Sequence, residues 1–515
     1  MLNNEQINLV KPKYKIGIVS FTDPRSEVQL VNKREEFIKL QHESLVRKLT
    51  DEGFIVIDPI TKILNQTTDR KLFGINTRTE INQALKIFLK EKISSLLIGC
   101  FAWNEPNLPI ELTEKLNCPV ALITTDNPDW PGITALTSTG ASFWDAAKNK
   151  YMIKHQRFIF SPETNFNHLI AWVRATCAIN HLKNGKLLLW GGSPALHMIH
   201  LNDDILNLED WLGSRIIIEN QNVLIKRSEL ILTKQIDRIE RFLSWLKNNG
   251  CIIEYDNKMI TKKSLSKQIA LYFASKDLIN ERLVKKERIV GISVKCQPEI
   301  SIDYGVTACL LPAFLPFSLD NEGNKPLLPT VCEGDIKGLI TSILLYGLNP
   351  SVPPLFGDLK VMSKTYFVIA NCGASSIFYG ANSIIPEETL PKCSLKPQCQ
   401  GESGAALGYH TPATKKDVTY ARLIKIDGKY SLQYGLGKII DLKQTQSNTW
   451  GESWPHTAVE LKVPGELLLK ALGTNHLSLI LGDYHQEINF MAQLLDIPIV
   501  RLDDEKSILK FIRNI

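Results

Sequence analysis

Four short apolar runs decide the fold of the first part of the chain: YKIGIVS at 14–20, FIVID at 54–58, SSLLIG at 94–99 and PVALIT at 119–124. Runs of this length and composition are typical of buried strands. Helical periodicity fills the intervals between them, as at residues 27–49 and 79–89. Alternating strands and helices predict a doubly wound parallel sheet with binding loops at the strand ends.

The rest of the chain divides by the same patterns. Residues 156–350 alternate again, with the strand-like run KLLLWGG at 186–192, and predict a second α/β domain. Residues 351–515 contain short strand-like runs separated by turn signals such as DGK at 427–429. We therefore predict an α/β protein with two N-terminal doubly wound α/β domains, 1–155 and 156–350, followed by a mainly β C-terminal domain, 351–515.

Length and composition favour a large cytoplasmic enzyme. A chain of 515 residues is too long for one hydrophobic core. Its net charge of +6 has no basic block, which argues against nucleic acid as a partner. No apolar run is long enough to cross a membrane, and the polar start lacks a signal-peptide core, so we expect no membrane association. The ten cysteines form no C-x-x-C pair and are expected to be buried, reduced thiols.

An acidic residue interrupts an apolar pattern in PTVCEGDIKGLITSILLYG, residues 329–347. Apolar residues follow Glu333 at positions i+3, i+4 and i+7, so Glu333 is predicted in the first turn of a helix, on its buried face. We expect Asp335 to point to solvent. The alternative interpretation is that Glu333 is only a first-turn acid, stabilised by the helix dipole and the free backbone N–H groups.

Two further ionisable residues lie in strand-like apolar runs. Asp358 is in LFGDLKVM at 355–362, and His476 begins HLSLILGD at 476–483. Together with Glu333 they provide two carboxylates and one imidazole, a ligand set that suits a hard divalent cation. We predict a metal site formed by Glu333, Asp358 and His476, with Mn²⁺ as the metal and Mg²⁺ or Co²⁺ as alternatives.

The segments around these residues resemble the L-fucose isomerase family and, more distantly, the L-arabinose isomerases. The resemblance includes VCEGD with Glu333, LFGD with Asp358, and Asn475-His476 before LSLILG. Upstream, KLLLWGGSPALHMIH at 186–200 and LEDWLGSRI at 208–216 are similar to the family's G-G and W-L-G segments. The opening KIGIVSFTDPRSE at 15–27 is similar to the family's first strand and loop.

This resemblance implies a metal-dependent aldose–ketose isomerase that acts on a free sugar by enediol proton transfer. Glu333 and Asp358 would be both metal ligands and catalytic acid–base groups, and His476 would be the third ligand. Carboxylates beside a chelated sugar can remove and return a proton. Residues expected to contact the sugar are Arg25, Trp103, Arg422, Trp450, Trp454, His456 and Asn475.

Alternatives remain open at this stage. Trp103 could be a packing anchor of the first domain, and Trp450 and Trp454 could simply cover the β domain. The two α/β lobes could belong to a sugar-binding or sugar-sensing protein without turnover, which would need no metal. The same ligands could also serve metal-assisted aldol cleavage or hydrolysis of a sugar, which product analysis would distinguish from isomerisation.

We predict that the active protein is a homo-oligomer, and the family resemblance implies a hexamer. In that family an aromatic residue at the Trp103 loop reaches the sugar site of a neighbouring subunit. Analytical ultracentrifugation at the concentration of the activity assay tests this prediction. A fully active monomer would contradict it.

Overall fold

The computed structural model describes residues 2–25, 29–65, 72–161, 166–373, 375–398, 403–442 and 451–515. Trp450 lies outside the described residues. The chain forms two compact units. The N-terminal unit contains Lys13–Asn180 and Gln486–Asp496, and the larger unit contains Met1–Pro12, His181–His485 and Ile497–Ile515.

The N-terminal unit is built on a parallel sheet. Its strands are β1 (Lys15–Ser20), β2 (Ile55–Ile57), β3 (Ser95–Gly99), β4 (Val120–Thr124) and β5 (Gln156–Ile159). They lie in the order β2-β1-β3-β4-β5 and are all parallel. This is a doubly wound order, because the chain extends the sheet first to one side of β1 and then to the other. The four predicted strands are confirmed.

Helices accompany this sheet. Those between its strands are Val31–Asp51, Ile60–Leu64, Arg78–Glu91, Asn107–Leu116, Gly132–Ala146 and Lys150–Ile153. Asn167–Lys183 follows β5, and His485–Leu495 comes from the last part of the chain. Two of these correspond to the helices predicted at 27–49 and 79–89. The helix at Arg78–Glu91 begins at a capping box, in which the Thr77 side chain accepts from the Glu80 amide and the Glu80 side chain accepts from the Thr77 amide.

A second parallel sheet lies in the larger unit. The strands of this part are β6 (Lys186–Trp190), β7 (Arg215–Glu219), β8 (Ile252–Ile253), β9 (Ile289–Val294), β10 (Leu319–Asp320), β11 (Gly323–Asn324) and β12 (Thr330–Cys332). The sheet has the order β12-β9-β6-β7, and β10 pairs with β11. We call the helix Ile336–Leu348, which follows β12, the Ile336 helix. All of its residues are buried.

The remaining helices of the larger unit are mostly short. The α-helices are Asn4–Asn8, Ile205–Leu212, Asn222–Lys234, Ile236–Asn248, Lys262–Val284, Leu310–Phe314, Pro386–Thr389, Gly465–Ala471 and Glu505–Arg513. Tighter or wider helical turns occur at Ala195–His197, Ile199–Leu201, Glu299–Tyr304, Ile377–Gly380 and Leu390–Lys392.

The C-terminal part of the larger unit is a closed sheet. Its strands are β13 (Leu355–Met362), β14 (Tyr366–Ala370), β17 (Asp417–Ile426), β18 (Lys429–Ile440), β19 (His456–Glu460), β20 (His476–Leu481) and β21 (Ile499–Arg501). The order β17-β20-β13-β14-β19-β18 returns to β17 through the β17–β18 pairing, and β21 joins β18 in parallel. The strands β15 (Ser394–Pro397) and β16 (Ala405–Gly408) pair with each other, and β15 also pairs with β8.

The predicted mixture of parallel α/β sheets followed by a mainly β region is confirmed. The three-domain division at residues 155 and 350 stays a prediction. Among the described helices, none is long and apolar enough to span a membrane. The nine described cysteines are free thiols, and eight of them are buried.

Candidate metal site

The helix following β12 begins later than the sequence pattern predicts. Asp335, not a residue before Glu333, is its N-cap, and the Asp335 side chain accepts from the Gly338 amide at 2.8 Å. The prediction that Glu333 lies in the first turn is therefore wrong. Glu333 precedes the helix, in a turn where it and Gly334 both have left-handed backbone angles, φ 63° and 71°. An aspartate at the N-cap is a better helix start than a glutamate, because its short side chain reaches the first free amides.

A loop from the second sheet supports this turn. The Ala195 amide donates to the Glu333 carbonyl oxygen at 2.8 Å. A side chain at Gly334 would come within 2.8 Å of the Ser193 carbonyl oxygen, so the turn requires glycine there both for its φ and for this close approach. The glycine turn after β6 thus supports Glu333.

The structure brings Glu333, Asp358 and His476 together. Asp358 on β13 and His476 on β20 are register partners in the closed sheet. Glu333 Oε2 lies 2.9 Å from His476 Nε2, and Asp358 Oδ1 lies 3.3 Å from the same nitrogen. One potential ligand atom from each residue lies within 4.8 Å of the other two. Neighbouring ligands of an octahedral cation with bonds of about 2.1 Å are about 3 Å apart, so these spacings fit one divalent ion.

Two of the three ligand atoms also lack another partner. Glu333 Oε2 and His476 Nε2 are buried and make no hydrogen bond among the described residues. They face each other at short distance without hydrogen-bond geometry. Buried polar atoms normally have partners, and a bound cation would satisfy both atoms. The site residues therefore fit a metal ion.

Asp335 orients the imidazole from behind. His476 Nδ1 donates to Asp335 Oδ2 at 2.8 Å, which leaves Nε2 for the carboxylates. Arg422 donates to both carboxylate oxygens of Asp335, at 2.5 and 2.9 Å. None of the three side chains is more than 1% exposed. Asp335 therefore points into the protein, and the expectation that it faces solvent is wrong, because Arg422 and His476 satisfy its charge.

These contacts shift two pKa values. Burial alone would raise the pKa of Asp335, but the Arg422 charge and the His476 hydrogen bond outweigh burial and hold it below its usual range. Burial alone would lower the pKa of His476, but Asp335, followed by Asp358 and Glu333, holds it well above the usual imidazole value. A metal ion at Nε2 would therefore compete with a proton that His476 holds more tightly than an ordinary imidazole does.

Asp358 has its own positioning contact. The Asn475 amide group donates to Asp358 Oδ1 at 2.7 Å, and Asn475 Oδ1 accepts from His200 Nε2 at 2.8 Å. The Asp358 side chain remains 29% exposed, whereas that of Glu333 is 11% exposed. Asn475 was predicted to contact a sugar, and in this structure it orients Asp358, one of the candidate ligands.

Most of the other predicted sugar contacts have partners of their own within the described residues. Arg25 pairs with Asp23 in the N-terminal unit. Trp103 is half-buried against the core of that unit, which is the packing role considered as the alternative. Trp454 is buried and donates through Nε1 to Gln398 at 3.3 Å. Arg422, with both terminal nitrogens on Asp335, occupies a buried position behind the imidazole.

Sequence reasoning did not identify His200, which contacts Asn475, and it misplaced Asp335. His456, a predicted sugar contact, has its Nε2 2.7 Å from Lys360 Nζ. The N-cap preference for aspartate before an apolar helical run could have located Asp335. No local sequence signal pairs His200 with Asn475, which is 275 positions away.

The comparisons with known proteins concern the family of the chain. Residues 369–503 match the family model "L-fucose isomerase, C-terminal domain". The resemblance to L-fucose isomerases is confirmed. The matched L-fucose isomerase-like segment includes His476 and most of the closed sheet, whereas Glu333 and Asp358 precede it.

Two curated relatives are sugar isomerases by name. "Sulfoquinovose isomerase" of Alkalicoccus urumqiensis is 23% identical over 226 residues, 43% of this chain and 46% of the relative. "Sulfoquinovose isomerase" of Priestia aryabhattai is 23% identical over 251 residues, 48% of this chain and 51% of the relative. This chain thus spans about half the length of the curated relatives it matches. Both comparisons connect the chain to sugar isomerases.

We predict that Asp335→Asn weakens Mn²⁺ binding by roughly 10- to 100-fold, the usual effect of losing a group that orients a ligand. The variant retains the shape of the cap but removes the charge that Arg422 and His476 share. Calorimetric titration measures the Mn²⁺ affinity of the variant, and thermal unfolding measures its stability. Asp427→Asn, in the exposed β17–β18 turn, is the matched control and should change neither. Unchanged Mn²⁺ affinity in Asp335→Asn would contradict the orienting role.

We also predict that Mn²⁺ binding releases a proton from His476. Since the pKa of His476 is raised, the protonated form persists to a higher pH than for an ordinary imidazole, and metal affinity should rise as pH increases through that pKa. Titrations in two buffers with different ionisation enthalpies give the number of protons released. The wild type should release about one proton more than His476→Ala, which should also bind Mn²⁺ more weakly. If the wild type and His476→Ala released the same number of protons, His476 would not be the metal ligand that loses a proton.

Proposed function

We propose that this chain is a metal-dependent aldose–ketose isomerase that acts on a small sugar. The observation that supports this most directly is the convergence of Glu333, Asp358 and His476 from three separate elements onto one point. The match of residues 369–503 to an L-fucose isomerase domain and the names of the relatives support the same reaction class. The relatives' names specify a sulfo-substituted sugar, which makes such sugars the first substrates to assay.

Two carboxylates in this arrangement suit proton transfer between neighbouring sugar carbons. A divalent ion bound here would polarise the carbonyl and the adjacent hydroxyl of an aldose and stabilise the negative charge that develops. One carboxylate removes the proton from the carbon beside the aldehyde, and a proton is returned to the former carbonyl carbon. The proton of the adjacent hydroxyl passes to the former carbonyl oxygen, so atoms and electrons balance within the sugar. Asp358 is the more exposed of the two, and Asn475 fixes its orientation.

The ligand chemistry favours Mn²⁺, with Mg²⁺ and Co²⁺ as alternatives. Oxygen ligands and one imidazole suit these ions better than thiolate-binding metals. Cys332 is adjacent to Glu333, but burial and the charge of Glu333 raise the pKa of its thiol well above the usual value, and Asn371 donates to its sulfur at 3.4 Å. Its neutral thiol is a poor ligand. We propose a homo-oligomer, with the hexamer of the resembled family as the working assembly.

We predict that Glu333→Gln and Asp358→Asn each lower isomerisation at least about a hundredfold, the usual scale for losing a positioned acid or base. Both substitutions preserve side-chain shape, so the thermal unfolding midpoint should stay close to that of the wild type. Ketose formation from a panel of aldoses, including sulfo-substituted sugars, is the measurement. Chelation should abolish turnover, and added Mn²⁺ should restore it.

Asp483→Asn is the control for Asp358→Asn, because Asp483 is an exposed acid just beyond β20. Near wild-type turnover in Glu333→Gln or Asp358→Asn would refute the catalytic assignment. Metal-independent binding without ketose formation would indicate a sugar-binding protein. Cleavage products in place of a ketose would indicate another metal-assisted reaction.

A further inference from the structure

One loop of the larger unit is connected to both carboxylates of the candidate site. It follows β6, and we call it the 191–201 loop. Its first part supports the Glu333 turn through a backbone hydrogen bond. Further along, His200 Nε2 lies 2.8 Å from the side-chain oxygen of Asn475, whose amide group in turn contacts Asp358. The loop therefore reaches one carboxylate through its backbone and the other through a side chain.

The contact with His200 determines which end of the Asn475 amide group faces Asp358. An asparagine side chain has a donor end and an acceptor end of nearly the same shape. The oxygen end accepts from His200 Nε2, which must therefore carry a hydrogen atom. The nitrogen end then donates to Asp358 Oδ1 at 2.7 Å, as an ionised carboxylate requires, because it can only accept. His200 thus favours the one orientation of Asn475 that holds the carboxylate.

The closed sheet fixes the backbone of Asn475 but not its side chain. The Leu359 amide donates to the Asn475 carbonyl oxygen at 2.7 Å, beside the register pair of Asp358 and His476. Side-chain rotation can still move the amide group away from Asp358. The Asp358 side chain is 29% exposed, so water can compete for its oxygen atoms. A restraint on this rotation therefore decides how well the carboxylate is oriented.

The 191–201 loop has a backbone conformation that its own residues do not favour. Leu196 and His197 have left-handed backbone angles, φ 51° and 56°. Such angles are unfavourable for residues other than glycine, and they persist only where the surroundings determine the conformation. Contacts with the rest of the fold, and not local preference, therefore set the position of His200.

Lys337 provides such a contact at the end of the loop. It lies in the first turn of the Ile336 helix, where the helix dipole disfavours a positive charge, and its side chain is only 4% exposed. Its ammonium group donates to the Asn202 carbonyl oxygen and lies 3.5 Å from Asp203 Oδ2. Lys425 Nζ lies 2.6 Å from Asp203 Oδ1. The contacts with the loop end account for a buried lysine at an unfavourable place.

We propose that His200 is a positioning residue for the isomerase reaction. Through Asn475 it holds Asp358 in the orientation in which the carboxylate can serve as a ligand and as a proton acceptor. Lys337 acts one step further back, because it holds the end of the loop that carries His200. The proposal rests on the proposed function and adds residues that prepare its catalytic carboxylate, and it involves no covalent step.

The test is a double-mutant cycle on the full chain, with the wild type, His200→Ala, Asn475→Ala and the double variant. Calorimetry measures Mn²⁺ affinity, and ketose formation gives kcat and KM. His200→Ala alone should lower Mn²⁺ affinity and kcat about tenfold, the low end of the usual effect of losing an orienting group, with a smaller change in KM. In the Asn475→Ala background it should change both quantities less than about twofold, because its effect passes through Asn475.

Two further variants separate positioning from a general effect on the loop. His200→Gln retains an N–H donor for the Asn475 oxygen and should keep most of the affinity and of kcat. His197→Asn is the matched control, because His197 is an exposed histidine of the same loop and asparagine tolerates the left-handed backbone there. It should change neither quantity. The thermal unfolding midpoint of His200→Ala should stay close to that of the wild type, since His200 is exposed.

Lys337→Met tests the support of the loop end. It removes the ammonium group but leaves Asp203 paired with Lys425, so the fold should be retained. The variant should lower Mn²⁺ affinity several-fold, and adding His200→Ala should lower it little further. Two factors that simply multiply in the combined variant would show that Lys337 acts independently of His200, which would overturn its part in the proposal.

These measurements separate the positioning role from the proposed function. No loss in His200→Ala, or an equal loss with and without Asn475, overturns the positioning role and leaves the isomerase intact. Absence of ketose, together with a loss of Mn²⁺ affinity that depends on Asn475, overturns the isomerase and supports the positioning role. Absence of both ketose and Mn²⁺ binding in the wild type overturns both.

Discussion

The buried Arg422–Asp335–His476 chain is the interaction on which the candidate site depends. It joins the start of the Ile336 helix to β17 and β20 through three side chains that are almost completely excluded from water. Removing charges from water is costly, and the cost is offset only when every charge has a well-placed partner. Loss of one partner would leave a buried charge unpaired, which costs about 3–5 kcal/mol. The same chain therefore stabilises the fold and sets the direction in which the imidazole faces.

The turn at Glu333 is the second constraint. A non-glycine residue in the left-handed region costs about 1–3 kcal/mol, and such strain persists only where the surroundings determine the conformation. Here the Ala195 amide fixes the Glu333 carbonyl oxygen, Gly334 permits close approach of the 191–201 loop, and Asp335 begins the helix. The helix cap and the loop together hold the Glu333 carboxylate in front of His476.

The sequence was sufficient for the features set by local pattern. Apolar runs predict β1 to β4, and an acid or imidazole on an apolar element predicts Glu333, Asp358 and His476, which the structure brings together. The sequence was insufficient where a residue far away in the chain determines the position of a side chain. The apolar periodicity placed the start of the helix at Glu333, whereas the capping side chain of Asp335 starts the helix two residues later. Asp335 was expected to face solvent because its partner Arg422 is 87 positions away and gives no local signal. Trp450 lies outside the described residues and stays a prediction.

A count of charges shows which kind of ion the candidate site can hold. Glu333, Asp358 and Asp335 contribute three negative charges, Arg422 contributes one positive charge, and neutral His476 contributes none, so the cluster has a net charge of about −2 once the imidazole has lost its proton. A divalent cation balances this charge and leaves no net attraction for an anion.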